Sequence, residues 1–506
     1  MLAIWSLFLT VRREGGSRGV QTFYLVLAGI LIAPLVLWLA YLRVRQRVLA
    51  GRVTEVERRF ERTLARFHVE IDHFKFARQS AVRTLLNNDH VVLTAVEEAA
   101  GNDPAAREEL RLRAHRFVDE IIPAFKPLNY YGVGLRLARW LLNALYRVDV
   151  DPAQVERLRQ LGRERPRALV YVANHRSNVD YVLAAYALAE KLALSFAVGE
   201  WARVWPLEYL FKSFGSFFLR RGYRDPLYHT VLARYVQLIT KNGVTQALFP
   251  EGGLSRDGRF RPPKLGLIDA IICAKADRSF TRELLFVPVA ISYDRVLEDR
   301  ALVAELDATR PRRSKLTMAW HVLRMLFANA AKFRARQLHK NGIAAVRFGE
   351  PLSFDAWHSS LGLDLFNLSK EQRRAHIADF CNTLMQRMGA LLPATPLCVV
   401  ARALLEDRPA HRVALEQAVA QHVTALQARG VEVISADRGA GWMVEGAMLR
   451  FGLRGLVDES TGDLRLGAGA EPILRYYANA LVHVDEGEVP RVQAPVPTPA
   501  AEPDAA

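Results

Sequence analysis

From residue 168 onward, short apolar runs alternate with stretches whose apolar residues recur at helical spacing. The runs are 169–173, 194–198, 216–219, 245–249 and 284–293, and the helical stretches between them are 179–191, 201–212, 227–241 and 265–275. This alternation predicts strands feeding helices, and therefore an α/β layer on a mostly parallel sheet flanked by helices. A further strand is expected over 344–348. Pro288, inside the last long run, predicts an edge strand or a bulge. Upstream the texture is helical. Residues 53–86 place Val56, Phe60, Leu64 and Phe67 on one stripe among charges. Helices over 91–99 and 105–122 follow, announced by the break at Asn88-Asp89 and the cap signal Asn102-Asp103-Pro104. Residues 131–146 form another amphipathic pattern. Downstream, 316–339, 371–391 and 412–428 read as helices, and glycine-punctuated segments reach 484. The Pro- and Ala-rich stretch 487–506 reads as disordered.

The most apolar stretch lies apart from this layer. Residues 23–42 carry no charge, and at helical rise they cover about 30 Å, the thickness of a bilayer core. Arg12, Arg13 and Arg18 precede the run, and Arg43, Arg45 and Arg47 follow it. The expectation is a membrane span or a membrane-embedded helix. A signal peptide fits less well, because the run is long and lacks a small-residue cleavage site. A buried core helix interrupted by Pro34 is the other alternative. The expected organisation is a membrane-associated segment over 1–48, a helical region over 49–150, an α/β domain over 151–400, a small C-terminal domain over 401–486 and a disordered tail over 487–506.

Charge narrows the partners. The formal net charge is +16, which favours nucleic acid, acidic headgroups or a phosphorylated substrate. The arginines are spread along the chain and are not interleaved with aromatics in one stripe, so nucleic acid is not expected. Three cysteines without a CxxC pair fit a reducing compartment. No Walker loop, dinucleotide fingerprint or zinc-ligand spacing occurs, and neither a cofactor nor a metal is expected.

Candidate chemistry gathers where predicted strands end. After the run 169–173 comes a polar turn with His175 and, five residues on, Asp180. A turn between them lets the two meet. Asn178 is a suitable cap for the helix that follows, and a negative charge in a first helical turn is favoured by the macrodipole. A carboxylate on one ring nitrogen fixes the tautomer and leaves the other nitrogen as a base. Arg220 and Arg221 end the next run but one, and arginine suits bidentate phosphate contacts. After 245–249 come Glu251, Gly252, Gly253, Ser255 and Arg256, with Lys264 beyond two prolines. In open α/β sheets the carboxyl edge is where ligands bind. The alternatives are a capped surface turn with ordinary surface charges, a phosphohydrolase using His175 and Asp180 as metal ligands, and a membrane-bound scaffold without activity.

Four ordered blocks, NHRSNVDY, GSFFLRR, FPEGGLSRDGRFRPPKLG and FVPVAISY, resemble those of the bacterial membrane-bound glycerol-3-phosphate acyltransferases, within the wider glycerolipid acyltransferase group. Similarity extends through RFGEPLSF at 347–354 and LRYYANALVH at 474–483. The resemblance implies the glycerolipid acyltransferase fold. It also implies acyl transfer from acyl-CoA or acyl-carrier protein, as co-substrate, to the sn-1 hydroxyl of glycerol 3-phosphate. By it His175 is the general base and Asp180 orients it. Arg220 and Arg256 hold the phosphate, with Arg221 and Lys264 as further candidates, and Glu251, Gly252 and Ser255 shape the acceptor pocket. The implied location is the inner membrane, among membrane lipid, with the catalytic domain on the cytoplasmic side. The chain departs from the family in carrying Asn178 where a second histidine is usual, and Pro250 where a branched apolar residue is frequent. FPEG is common in the lysophosphatidate branch, so lysophosphatidate and dihydroxyacetone phosphate stay open as acceptors.

Overall fold

The structure is a computed structural model and describes residues 79–123, 135–164, 166–188, 195–199, 207–220, 222–307, 341–460 and 462–492. The expected apolar helix at 23–42, most of the helix at 53–86, the helix at 316–339, Arg221 and most of the tail lie outside these residues. Among the described residues no helix is long and apolar enough to cross a membrane.

The sheet contains β1 (Arg147–Val150), β2 (Arg167–Ala173), β3 (Ser195–Gly199), β4 (Phe217–Leu219), β5 (Gln246–Leu248), β6 (Glu283–Tyr293), β7 (Ile343–Phe348) and β8 (Leu352–Ser353). Their order is β1-β7-β6-β2-β5-β3-β4, with β8 also beside β6. β2 runs parallel to both neighbours, β5 and β6, and β3 runs parallel to β5 and β4. β7 and β8 run against β6, and β1 runs parallel to β7. The carboxyl ends of β2, β4, β5 and β6 therefore open on one edge.

The helices of six or more residues are α1 (Gln79–Asn87), α2 (His90–Ala100), α3 (Pro104–Ile121), α4 (Leu135–Leu145), α5 (Pro152–Glu164), α6 (Asp180–Leu188), α7 (Leu207–Ser213), α8 (Pro226–Lys241), α9 (Gly266–Cys273), α10 (Asp299–Ala304), α11 (Phe354–Ser360), α12 (Lys370–Leu391), α13 (Pro396–Glu406), α14 (Arg412–Ala428), α15 (Gly439–Gly452) and α16 (Glu471–Ala478). Local chemistry starts several of them. Asp89, Asp103 and Asp225 accept backbone N–H groups of the first turns of α2, α3 and α8, and Pro104 and Pro226 occupy N1. Ser369 and Gln372 close a capping box on α12.

Alternate residues of the central strands feed two cores. Ala168, Val170 and Val172 of β2, with Leu284 and Phe286 of β6, pack under α1, α2, α3, α8, α9 and α12. Leu169, Tyr171 and Ala173, with Val287, Val289, Ile291 and Tyr293, pack under α4, α6 and the C-terminal helices α13 to α16. Covering on both faces is why these strands read as continuous apolar runs and not as alternating ones. The same packing shows how the expected divisions relate to the fold. β1 joins the sheet just before residue 151, and α13 runs through residues 400 and 401.

Pro288 corrects one expectation. β6 is an interior strand, and Pro288 pairs with Val172 of β2 in regular register. On its other side the partner of β6 changes from β8, opposite Leu285 and Phe286, to β7, opposite Val289 to Tyr293. The missing N–H falls at that seam, where the Pro288 carbonyl still accepts from Gly349 N at 2.9 Å.

Candidate active site

Residues 174–180 leave the carboxyl end of β2 and start α6, and the turn they make is both polar and buried. Asn174, His175, Arg176, Ser177 and Asp180 are each at most 5% exposed. A buried polar group without a partner costs about 1–3 kcal/mol, so such a turn persists only when its groups are paired. Asp180 supplies most of the pairing. Its Oδ2 accepts from Arg176 N at 2.7 Å and Ser177 N at 2.9 Å, and lies 2.9 Å from His175 Nδ1. Its Oδ1 accepts from the Tyr293 hydroxyl at 2.7 Å. Four donors on two oxygens is a set that a carboxylate, acceptor on both sides, accommodates. Nδ1 therefore carries the proton of the neutral ring and Nε2 the lone pair. Nε2 makes no hydrogen bond among the described residues. The imidazole is held in plane by Phe249, stacked at 4.0 Å, and edge-on by Tyr181 at 5.5 Å.

Asn178 does not cap α6. The Ser177 hydroxyl accepts from Val179 N at 3.1 Å, and the Asn178 amide donates to Glu298 at 3.2 Å. Glu298 also accepts from the Ser177 hydroxyl at 2.7 Å and from Asn178 N. Burial raises the Glu298 carboxyl above its usual range, against the hydrogen bond from Ser177, and the charge of Asp180 adds to the rise. Asn174 fastens the other end of the turn, exchanging side-chain hydrogen bonds of 2.9 and 2.7 Å with the backbone of Ile291 in β6.

The second wall follows β5. Glu251 accepts from His175 N at 2.9 Å and from Arg261 N at 2.8 Å, so one carboxylate ties the His175 turn to the glycine loop. Ser255 N donates to the His175 carbonyl at 3.0 Å, while its hydroxyl braces its own loop through Arg259 O and Gly258 N. Gly252 adopts φ +65°, and a Cβ there would lie 2.9 Å from Cδ of Lys264. Lys264 is exposed, and its N–H donates to the Pro250 carbonyl at 2.8 Å.

Burial pushes the Glu251 carboxyl up to about 7 from 4.5, opposed by the charge of Arg176 and by its two backbone donors. A raised carboxyl is protonated more readily in the folded chain. Its contribution to stability is complete below about pH 4.5 and is lost as pH rises through about 7, by up to about 3 kcal/mol. Glu251→Gln cannot ionise, so its urea midpoint should vary less with pH over that window than the wild-type midpoint does. An unchanged slope would place the titration elsewhere. The amide also sets a donor against one backbone N–H, so the variant should be less stable by about 1–3 kcal/mol at low pH.

Of the expected site residues, His175, Asp180, Glu251 and Ser255 form one bonded network, with Gly252 and Lys264 on its flank. The expected phosphate-binding arginines lie differently. Arg220 makes a bidentate pair with Glu120 of α3, with Nε to Oε1 at 2.8 Å, and its guanidinium lies 4.7 Å from the ring centroid of Tyr223. The hydrogen bond to Glu120 raises its pKa further. Arg256 is more exposed and meets Glu305 at 2.7 Å. The residues that sequence reasoning passed over are Arg176, Tyr293, Glu298 and Glu120. Arg176 is buried inside the first sequence block, donates Nη1 to the Gly258 carbonyl and lies 5.5 Å from the Phe260 ring centroid. Arg176 and Tyr293 fall within the quoted blocks; no sequence pattern pointed to Glu120 or Glu298.

An acyltransferase family model matches residues 154–292, which hold β2 to β5, β6 up to Ser292, and His175, Asp180, Glu251 and Ser255; Tyr293 and Glu298 lie just beyond it. A second, for the C-terminal region of glycerol-3-phosphate acyltransferase, matches 328–484. The parallel sheet with a buried His–Asp turn at its carboxyl edge thus lies in a domain of the acyltransferase class. The chain is 31% identical to the glycerol-3-phosphate acyltransferase of Aeromonas hydrophila over 63% of this chain and 39% of that protein. It is 26% identical to that of Shewanella pealeana over 80% and 50%, and 32% identical to that of Glaesserella parasuis over 54% and 32%. The chain belongs to the glycerol-3-phosphate acyltransferase family, and its matched part spans half or less of the length of these relatives. A solved lysophosphatidate acyltransferase from Thermotoga maritima aligns at 16% identity with a TM-score of 0.27, over 60% of this chain and 94% of the other, too low to carry an argument.

Proposed function

We propose that this chain transfers an acyl group from acyl-CoA or acyl-carrier protein to the sn-1 hydroxyl of glycerol 3-phosphate, giving 1-acylglycerol 3-phosphate, the first step of phospholipid synthesis. The observation that carries the reading is the buried His175–Asp180 pair with Nε2 unoccupied at the carboxyl edge of β2. The acceptor hydroxyl attacks the thioester carbonyl while Nε2 takes its proton, and Asp180 holds the ring and balances the imidazolium. The tetrahedral intermediate collapses, the C–S bond breaks, and the imidazolium returns the proton to the departing thiolate. No covalent enzyme intermediate is needed. A metal-ligand role for the pair fits the geometry poorly, because Nδ1 and Oδ2 face each other at hydrogen-bond distance.

For the phosphate, Arg256 is the better candidate of the two expected. Its half-exposed contact with Glu305 is of a kind worth about 0–1 kcal/mol and exchanges readily for a phosphate. Arg220 would first have to leave a bidentate carboxylate. Localisation at the inner membrane, with the catalytic domain on the cytoplasmic side, belongs to the same proposal. The test is initial rates with palmitoyl-CoA and each of glycerol 3-phosphate, dihydroxyacetone phosphate and lysophosphatidate. Acylation of lysophosphatidate alone would overturn the acceptor assignment. With glycerol 3-phosphate as acceptor, Arg256→Ala should raise its KM about 10-fold or more at little changed kcat. An unchanged KM removes Arg256 from the site.

A further inference from the structure

Between the loop after β6 and the end of α15 lies a pocket of about 310 Å³, lined by Arg295, Leu297, Asp299, Arg300, Leu453 and Arg454. Its charges do not cancel. Asp299 is neutralised within the fold by Arg454 at 2.6 Å, both side chains at most 8% exposed, and it also accepts from the Tyr477 hydroxyl at 2.5 Å. Arg295 and Arg300 have no acidic partner among the described residues. Arg300 is exposed and donates Nη2 to the Arg454 carbonyl at 2.8 Å. Arg295 donates Nη1 to Asn341 at 2.9 Å, and its Nε is buried without any partner among the described residues. A buried donor without a protein partner is met by an ordered water, an ion or a ligand. Arg220, Arg256, Arg347 and Arg234, by contrast, each sit on a carboxylate.

The pocket is linked along the chain to the turn at His175. Glu298, between the lining residues Leu297 and Asp299, is the residue that clasps Ser177 and Asn178. Two uncompensated guanidiniums in a small pocket match a phosphate group, which arginine binds through paired N–H donors. Leu297 and Leu453 offer apolar wall to a carbon skeleton. We propose that this pocket binds a phosphate group of one of the two substrates, with Arg295 and Arg300 as its ligands. The assignment to a substrate rests on the acyl-transfer reading. Two sources share the chemistry: the phosphate of the acceptor and the phosphates of the donor's nucleotide end.

Calorimetric titration of the full chain separates these sources. The probes are glycerol 3-phosphate and adenosine 3′,5′-bisphosphate, applied to the wild type, Arg300→Gln and Arg295→Gln. Each variant should weaken one probe about 10-fold or more and raise the KM of the matching substrate, with kcat changed far less. A change confined to glycerol 3-phosphate assigns the pocket to the acceptor, and one confined to the bisphosphate assigns it to the donor. Wild-type affinity for both probes in two variants with native near-UV circular dichroism overturns the proposal. Arg300 is exposed, so its variant folds even if Arg295→Gln does not, and Arg300→Lys should recover part of the affinity. Probe binding that responds to the substitutions in a chain without acyl transfer would sink the function reading and leave the pocket standing.

Discussion

His175→Ala is expected to lower kcat for acyl transfer by at least about 10²-fold and up to about 10⁴-fold, the range that a positioned general base supplies. The imidazole does two jobs. In the proposed reaction its Nε2 is the base, and its ring fills the space against Phe249. Alanine removes both, so activity must be read beside a measure of folding. Asp180 keeps three of its four donors in the variant, namely Arg176 N, Ser177 N and the Tyr293 hydroxyl, so the turn should hold. Initial rates at saturating acceptor and donor, with near-UV circular dichroism, decide the matter. A folded His175→Ala chain with kcat within 10-fold of wild type would mean that another group takes the proton. It would also revive the reading of a scaffold that has kept the fold without the chemistry.

The second large effect is on stability. Gly258 lies at φ +86°, and a Cβ built on it would meet the Tyr476 carbonyl at 1.8 Å. The obstacle is backbone, not the end of a flexible side chain, so either the glycine loop or α16 must move. Gly258→Ala should therefore destabilise the chain by about 3–5 kcal/mol, through left-handed strain and a displaced contact together. Gly222→Ala is the control. Its φ is also positive, at +70°, but nothing lies within 4 Å, so strain alone should cost about 1 kcal/mol. Urea midpoints of the two variants measured side by side test the distinction. Equal losses would show that the approach of α16 to the loop contributes nothing.

What the sequence could disclose depended on distance along the chain. β2, β5 and β6 were legible because both faces of the sheet are covered, which makes each a continuous apolar run. β1, with the sequence RVDV, was not legible: it is an edge strand paired only with β7, where charged residues are tolerated and the run looks like a loop. α13 passed unread because it is short and mostly buried: Arg402 and Glu406 are its only charged residues, too few to set a period in the sequence. The His175–Asp180 pair was visible because only four residues stand between its members. Its supports were not. Tyr293, Glu251 and Glu298 reach the turn across 113, 76 and 121 residues. Arg220 was legible as a charge at a strand end. Its partner Glu120, 100 residues upstream on α3, converts that charge from a free phosphate ligand into one half of a pair.

The placing of α16 over the glycine loop bears on the order of events as the chain is made. Arg176, which reaches Gly258, and Asn479, which donates to the Asp257 carbonyl at 2.8 Å, tie opposite ends of the sequence to the same few residues. Asp180 lacks its Tyr293 donor until β6 emerges, and the loop lacks its cover until α16 emerges some two hundred residues later than the loop itself. On a ribosome the sheet can assemble while the histidine turn is still wet, because its burial depends on contacts of high sequence separation. The turn at His175 and the loop at Gly258 therefore gain their full set of partners late in synthesis, once the residues of α16 have emerged.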